Sequence, residues 1–217
     1  MTDDQTLDEI RLALAPEIAM NAAFDGWGDA ALAMAAQAQD VDTDVARLAF
    51  TDGPTQMIDW WFRHVDDRMA DALPPERLAA MKVRERITAL VEARLDAVAA
   101  DREALRRALA MLALPQNVAL AARLGWRAAD RMWRLAGDTA VDYNHYTKRA
   151  LLLGVYGSTL TVFLDDDSDG QGDTRAFLRR RIDGIMRFEK AKAGFMKRTE
   201  NLPSLSRFIG RLRYPAV

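Results

Sequence analysis

Apolar residues recur at helical spacing through most of this chain, and this pattern constrains the fold more than any other feature. Between Thr55 and Leu73, for example, Trp61, Val65 and Met69 follow one another at intervals of four, which places them on one face of a helix. Ala, Leu, Arg, Met and Glu are common, whereas alternating runs of Val, Ile, Thr and aromatic residues are nearly absent. Strands therefore have little to be built from. We predict an all-α fold, a bundle of about nine helices with a C-terminal amphipathic helix.

The chain has 217 residues, half of them hydrophobic, and can bury one sizeable core or two closely packed helical subdomains. It contains no cysteine, which excludes disulfides, thiolate metal sites and a cysteine nucleophile. Its first residues, Met-Thr-Asp-Asp, have neither the basic start nor the apolar core of a signal peptide. We therefore expect the protein to stay in the compartment where it is made.

Charge is unevenly distributed although the net charge is only −2. Residues 1–60 hold twelve acidic residues against Arg11 and Arg47, a net charge of −10. Residues 187–217 hold eight basic residues against Glu189 and Glu200, a net charge of +6. The two ends of the chain are thus suited to different partners.

The first 52 residues have the order of a helix-turn-helix head. Thr6 and Glu9 form a capping-box pattern at the start of a first helix, which we expect to bend or restart at Pro16. Two short helices follow, over 29–39 and 43–50, with Asp42 as the N-cap of the second. This order resembles the DNA-binding head of TetR-type regulators, but only Arg47 is basic in the helix that would enter the groove. DNA would repel such a head, and we expect no nucleic acid partner.

The remaining pattern predicts six longer helices before the C-terminal segment. They cover residues 55–73, 76–99, 102–112, 118–136, 144–164 and 174–193.

The sequence contains no residue motif typical of metal-dependent or nucleophilic catalysis. The histidines, His64 and His145, are far apart and form no paired-ligand motif. Residues 165–170 match the opening of a calcium loop, but the twelfth position is Ala176 where a bidentate Glu is required. We expect no catalytic residue, no metal and no cofactor, and therefore not an enzyme.

Residues 150–164 form a charge-free apolar segment, too short and too rich in small residues to span a bilayer. Apolar positions surround the whole predicted helix, which indicates burial on all sides. Gly154, Gly157 and Ser158 would admit either a neighbouring helix or a long apolar ligand. The pattern alone leaves both interpretations open.

The segment from Leu202 to Tyr214 combines an apolar stripe with arginines outside that stripe. Such a helix suits an anionic membrane surface. A C-terminal helix docked on the fold needs the same stripe, so that alternative stays open.

Five blocks of the sequence, in order, resemble the lipid-binding accessory family of ubiquinone biosynthesis, the ninth Coq protein. These blocks span residues 24–27, 81–87, 112–117, 130–149 and 173–183. The resemblance runs from about Phe24 to Val217 and implies a TetR-like fold with a two-fold dimer through late helices. The segment between Pro16 and Phe24 is longer than the family pattern.

The family resemblance also implies a function. Members bind isoprenoid lipid and deliver a ubiquinone precursor to the di-iron hydroxylase that acts on demethoxyubiquinone. The implied partner surface comprises Leu114, Pro115, Asn117, Asp130, Trp133 and Arg134, and we expect Trp133 to be exposed. The implied lipid wall comprises Tyr146, Leu153, Tyr156, Leu160 and Phe163. The implied membrane contacts are Leu205, Arg207, Phe208, Ile209, Arg211 and Leu212.

We accordingly expect a head over 1–52, a lipid-binding and dimerisation body over 53–193, and a linker with a membrane-binding helix over 194–217. The expected location is cytoplasmic, peripheral on the inner membrane of a bacterium. The alternative function is a TetR-type regulator that senses a lipid.

Overall fold

The computed structural model describes residues 5–139 and 143–200, and within these ranges every regular element is helical. The all-α prediction is confirmed. The helices are α1 Leu7–Asp25, α2 Asp29–Ala38, α3 Thr43–Ala49, α4 Pro54–Ala72, α5 Pro75–Ala79, α6 Val83–Ala97, α7 Arg102–Leu112, α8 Val118–Leu135, α9 Tyr143–Leu164 and α10 Gly172–Glu200. Short 3₁₀ turns at Pro115–Asn117 and Asp169–Gln171 precede α8 and α10.

The described residues thus form ten α-helices where about nine were predicted. The difference arises in the segment predicted as one helix over 76–99. The chain leaves the helix after Ala79 and starts again at Val83, where the Glu85 carboxylate accepts a hydrogen bond from the Lys82 N–H at 2.9 Å. This local cap favours a fresh helix start over continuation of the five-residue α5.

The start of α1 is the predicted capping box. Thr6 Oγ1 accepts from the Glu9 N–H at 3.3 Å, and the Glu9 carboxylate accepts from the Thr6 N–H at 2.8 Å. The hydrogen bond from the Thr6 backbone is the main reason that the pKa of Glu9 lies below its ordinary value. α1 continues through Pro16 to Asp25 and does not restart there. Pro16 costs the helix one backbone donor, but one missing bond does not end a helix that buries Leu14 and Ile18 completely.

A buried aromatic residue anchors the turn after α1 to the rest of the bundle. Trp27, in the turn after α1, donates from Nε1 to the Ala104 carbonyl of α7 at 3.0 Å. Its ring lies 5.3 Å from the ring of Trp61 in α4.

Asp42 caps α3 as predicted, since its carboxylate accepts hydrogen bonds from the Asp44 and Val45 N–H groups. α2 and α3 pack on α1, and α1 in turn packs on α4 and α7.

The chain divides into two compact units, Met1–Leu178 and Arg179–Val217. The first unit contains α1 to α9 and the first turns of α10. The second contains the continuation of α10 from Arg179 to Glu200. The boundaries predicted at residues 52 and 193 stay predictions.

Within the described ranges, no single helix is both long enough and apolar enough to cross a bilayer. α7 together with the segment Pro115–Leu135 meets those requirements only as a pair bent by 94°.

Candidate functional site

Helices α4, α6, α7, α8 and α9 line a half-open cavity of about 260 Å³ in the first unit. All but two of its lining residues are wholly apolar or glycine. The lining residues are Phe62, Arg94, Leu109, Leu112, Ala113, Ala121, Leu124, Gly125, Ala128, Leu153, Tyr156, Gly157 and Leu160. Apolar walls around a few polar groups are typical of sites that bind small organic molecules.

The polar groups of the cavity are Arg94 and the hydroxyl of Tyr156. Arg94 is 3% exposed and donates from Nε to Asp66 Oδ1 at 2.9 Å and from Nη1 to the Tyr156 hydroxyl. Its guanidinium also lies 5.4 Å from the Phe62 ring centroid and 5.0 Å from that of Tyr156. These contacts fix the guanidinium in one position beside the cavity.

Burial and charge act in opposite directions on these groups. Burial alone would lower the pKa of Arg94, because a buried cation loses its hydration. The interactions with Tyr156 and Asp66 are stronger than this effect and raise the pKa of Arg94 above its ordinary value. Burial raises the pKa of Tyr156, because a phenolate is poorly solvated there. Arg94 is therefore a permanent cation, and Tyr156 keeps its hydroxyl proton at neutral pH.

A second ion pair adjoins the first. Arg127 of α8 donates to the carboxylate of Asp59, and its Nε lies 3.8 Å from Asp66 Oδ2. Arg63 Nε also lies 3.6 Å from Asp59, so Asp59 is shared by Arg63 and Arg127, whose side chains are 46% and 32% exposed. The buried pair beside the cavity, Arg94 and Asp66, is balanced, whereas an isolated buried cation would attract an anion strongly.

Two glycines shape the cavity wall. A Cβ at Gly125 of α8 would collide with the end of the Leu153 side chain in α9, so these two helices cross closely at this point. A Cβ at Gly157 of α9 would meet no heavy atom within 4 Å, although Gly157 lines the cavity. The absent side chain at Gly157 is part of the cavity volume.

The predicted lipid wall agrees with this cavity in part. Leu153, Tyr156 and Leu160 line it. Phe163 does not line it; this residue is fully buried, with the Arg102 guanidinium 5.0 Å from its ring centroid. Tyr146 also lies outside the wall and is 62% exposed, with its ring 6.1 Å from that of Trp126.

Sequence reasoning missed Arg94 and the walls contributed by α4, α7 and α8. A signal for Arg94 was present, because it stands between Val91 and Leu95 on the apolar stripe of α6. A charged residue on a buried stripe requires a buried partner. That partner, Asp66, is 28 positions away in sequence, so helical spacing could not identify it.

The prediction that α9 is buried on all sides was wrong. Ala150, Gly154 and Thr161 are exposed in the structure, and a Cβ at Gly154 would meet nothing within 4 Å. Small apolar residues look like core residues in a hydrophobicity pattern, but they also form open helix faces. One face of α9 is therefore free of neighbours in the described part of this single chain.

The predicted partner residues form two groups at opposite ends of α8. Leu114 and Pro115 are exposed just before the helix, and Asn117 donates to the Met111 carbonyl at 2.9 Å. Asp130, Trp133 and Arg134 lie near its other end. About fifteen residues of helix, or roughly 20 Å, separate the two groups. The structure therefore does not bring all six residues into one compact patch.

Trp133 is half-buried, where an exposed residue was expected. Its Nε1 donates to the Lys148 carbonyl of α9 at 3.0 Å, and the Lys148 ammonium lies 5.3 Å from its ring centroid. Trp133 thus packs α8 against α9.

Buried charges reinforce this junction. Arg149 is 1% exposed and donates to Asp130 at 2.6 Å, to Asp138 at 3.1 Å and to the His145 carbonyl at 3.0 Å. Lys148 donates to Asp138 at 2.6 Å. Burial alone would raise the pKa of Asp138, but the hydrogen bonds from Lys148 and Arg149 hold it below its ordinary value. Much of the charged signature over 130–149 therefore joins α8 to α9.

The acidic loop before α10 is organised around Asp166. Its carboxylate accepts from the Thr174 N–H at 2.8 Å and the Thr174 hydroxyl at 2.5 Å, and also from Ser168. These hydrogen bonds, led by that from the Ser168 side chain, hold the pKa of Asp166 far below its ordinary value. Within residues 5–139 and 143–200, no cluster of three or more potential metal ligands occurs.

The six predicted membrane contacts, Leu205 to Leu212, lie outside the described residues. Their assignment stays a prediction.

Comparisons with known proteins find similarity to one family. Residues 118–189 match the model of the COQ9 family. The rat mitochondrial ubiquinone biosynthesis protein COQ9 is 32% identical over 168 residues, covering 74% of this chain and 54% of the relative. The human protein of the same name is 30% identical over the same length, covering 74% of this chain and 52% of the relative. About three quarters of this chain is thus similar to the COQ9 proteins.

The chain spans about half the length of the curated COQ9 proteins it matches. The region matched by the family model contains α8 and α9, and so includes one side of the cavity and the junction at Arg149.

The fold also resembles a solved structure outside the COQ9 proteins. A TetR transcriptional regulator from Nitrosomonas europaea superimposes with a TM-score of 0.65 at 25% sequence identity, covering 80% of this chain and 96% of the regulator. The predicted TetR-like fold is confirmed.

Proposed function

We propose that this chain is a non-catalytic, lipid-binding accessory protein of ubiquinone biosynthesis. It takes a polyprenylated quinone precursor from the membrane and presents it to the di-iron demethoxyubiquinone hydroxylase. The observation that carries the proposal is the apolar cavity between α4 and the α6 to α9 helices. The names of the curated relatives support the pathway, and the resemblance of the 130–149 signature supports the partner.

The cavity volume limits which part of such a ligand can enter. Pockets for drug-sized molecules measure about 300–1,000 Å³, and this cavity measures about 260 Å³. It is large enough for one substituted ring or for a few isoprene carbons. Because the cavity is half open, we propose that the ring occupies it and that the rest of the prenyl chain extends out of it.

Apolar burial supplies the driving force for transfer from the membrane. Each 100 Å² of apolar ligand surface that is buried away from water contributes about 2.5 kcal/mol of favourable free energy. A membrane offers the prenyl tail a similar environment, so extraction requires that the protein remain at the bilayer surface while the ring enters the cavity. The basic amphipathic segment over 202–214 is proposed to hold it there, on the cytoplasmic face of a bacterial inner membrane.

The direct test fills the cavity from Gly157. A leucine at Gly157 projects into the cavity space, whereas a leucine at Gly154 projects from the open face of α9. Affinity for a benzoquinone with a two-isoprene tail is measured by calorimetry for both variants. Gly157→Leu is expected to bind at least about tenfold more weakly, since it excludes the ring, and Gly154→Leu to bind as wild type does.

Two results would count against the proposal. One is equal affinity of the wild-type protein and the Gly157→Leu variant. The other is the absence of any prenylated quinone from organic extracts of protein purified from its own host, analysed by mass spectrometry.

The open face of α9 is the proposed surface of a homodimer. Ala150, Gly154 and Thr161 are small and exposed there, so two copies of α9 could approach closely. Gly154→Leu should therefore sediment as a monomer at concentrations where the wild-type protein is a dimer. An unchanged sedimentation coefficient would remove this face from the dimer model.

A lipid-sensing transcriptional regulator is the second candidate, and the likeness to the Nitrosomonas regulator favours it. The electrostatics of the head oppose it. Arg47 of α3 already pairs with Asp29 at 3.0 Å and Asp44 at 3.3 Å, and its hydrogen bonding to the Asp29 carboxylate is the main reason that the pKa of Arg47 is raised. Salt-dependent retention of DNA upstream of its own gene would favour the regulator; we expect none.

A further inference from the structure

The polar end of the cavity has a donor that the fold leaves unused. The Tyr156 hydroxyl accepts from Arg94 Nη1, which leaves its own proton to donate. Among the described residues, no group accepts that proton in a hydrogen bond. Tyr156 is 5% exposed and lines the cavity. A buried donor without an acceptor costs free energy unless a ligand supplies the acceptor.

The Arg94 guanidinium strengthens this donor. A phenol that accepts from a cation becomes a better donor, because electron density shifts toward the guanidinium. Asp66 and the stacked rings of Phe62 and Tyr156 keep the guanidinium in place. The Tyr156 hydroxyl is therefore preorganised toward a ligand oxygen.

The charge balance decides which oxygen is suited. The buried Arg94 beside the cavity is matched by the buried Asp66, whereas the remaining positive charge of the network lies on Arg63 and Arg127, which are partly exposed to water. A diphosphate or carboxylate would lose its hydration on entering the apolar cavity without a counter-charge in return. A neutral carbonyl loses much less on entry and needs only one donor.

We propose that Arg94 and Tyr156 form a head-group site that selects a neutral, carbonyl-bearing ring over both a hydrocarbon and an anionic prenyl compound. This inference rests on the proposed function, because it assigns the polar end of the same cavity. Arg94 is a positioning residue in this scheme, and Tyr156 makes the contact with the ligand.

Three ligands with the same two-isoprene tail test the selectivity: one ends in a benzoquinone ring, one in a hydrocarbon and one in a diphosphate. The wild-type protein should bind the quinone most tightly. Tyr156→Phe should weaken quinone binding by about three- to tenfold, the value of one neutral hydrogen bond, and should leave hydrocarbon binding unchanged. The matched control is Tyr146→Phe, which removes an exposed hydroxyl outside the cavity and should change neither.

Infrared spectroscopy tests for a direct contact with the ligand, because a purely structural role of Tyr156 would not change the carbonyl stretching frequency of the bound quinone. The carbonyl stretch of the bound quinone should lie at lower frequency in the wild-type protein than in Tyr156→Phe, because the hydrogen bond weakens the C=O bond. An Arg94 variant is avoided, since it would leave the Asp66 carboxylate buried without its partner.

The outcomes separate the two proposals. Quinone and hydrocarbon binding of equal strength, or tighter binding of the diphosphate, would overturn the head-group site while leaving a lipid cavity in place. An unshifted carbonyl stretch with a normal fold in Tyr156→Phe would overturn it as well. Failure of all three ligands to bind would instead remove the proposed function and this inference with it.

Discussion

Replacing Arg149 by methionine is the sharpest test of how the signature over 130–149 acts. Arg149 is buried where α9 meets α8, and it donates to Asp130, Asp138 and the His145 carbonyl. Methionine has a similar length and fills much of the same space, so the change removes charge and hydrogen bonds more than volume. The structure predicts a large loss of stability from this single substitution.

The size of the loss follows from the groups left behind. Removing one partner of a buried ion pair costs about 3–5 kcal/mol, because the other charge stays buried. Lys148 still neutralises Asp138 at 2.6 Å, which favours the lower end, about 3 kcal/mol. For a chain of this length each kcal/mol lowers the melting temperature by about 2–4 °C. The expected decrease is therefore about 6–12 °C.

The control is Arg134→Met, in the same cluster. Arg134 pairs with the same Asp130 at 2.8 Å, but its side chain is 71% exposed. An exposed pair on one helix contributes about 0.5 kcal/mol or less. Both variants are melted side by side with calorimetry, and urea titration gives the free energies of unfolding. Similar losses in the two variants would refute the argument that burial makes Arg149 important.

Further predictions concern pH, the partner and the membrane. The pKa of Asp166 is lowered in the fold, so its stabilising effect is complete above the unfolded-state pKa of about 4 and is lost as pH falls below that value. Asp166→Asn should therefore be less stable at pH 7 and lose less stability between pH 7 and 3 by urea titration; parallel losses would contradict this. Leu114→Asp, at a position 45% exposed, should reduce pull-down of the hydroxylase without changing the melting temperature, and undiminished capture would exclude this end of α8. Changing both Phe208 and Ile209 to Asp should release the protein from anionic vesicles in a sedimentation assay, and full retention would exclude the tail as the anchor.

Local signals in the sequence were sufficient to predict that the elements are helices and where several of them begin. The Thr6–Glu9 capping box and the Asp42 cap depend on residues three positions apart or fewer, and both occur as predicted. The break between α5 and α6 was missed because a continuous apolar stripe outweighed a weak helix start at Lys82.

The site was only partly predictable, because its groups come from distant segments. Family resemblance indicated Leu153, Tyr156 and Leu160 of α9 as wall residues, but neither it nor the apolar pattern could show that Phe62 from α4 lines the same cavity. Family resemblance grouped Trp133 with a partner surface. Its hydrogen bond to the Lys148 carbonyl depends on how two helices pair, and no local pattern shows that.

At Gly157 the volume of the cavity can change without a change in how the helices pack. Because a Cβ at this position would meet no heavy atom within 4 Å, an alanine would occupy ligand space without displacing any neighbour. An alanine would even favour helix formation by about 1 kcal/mol over glycine. Natural variation at this one codon could therefore retune which ring sizes are admitted, with no compensating change elsewhere in the bundle.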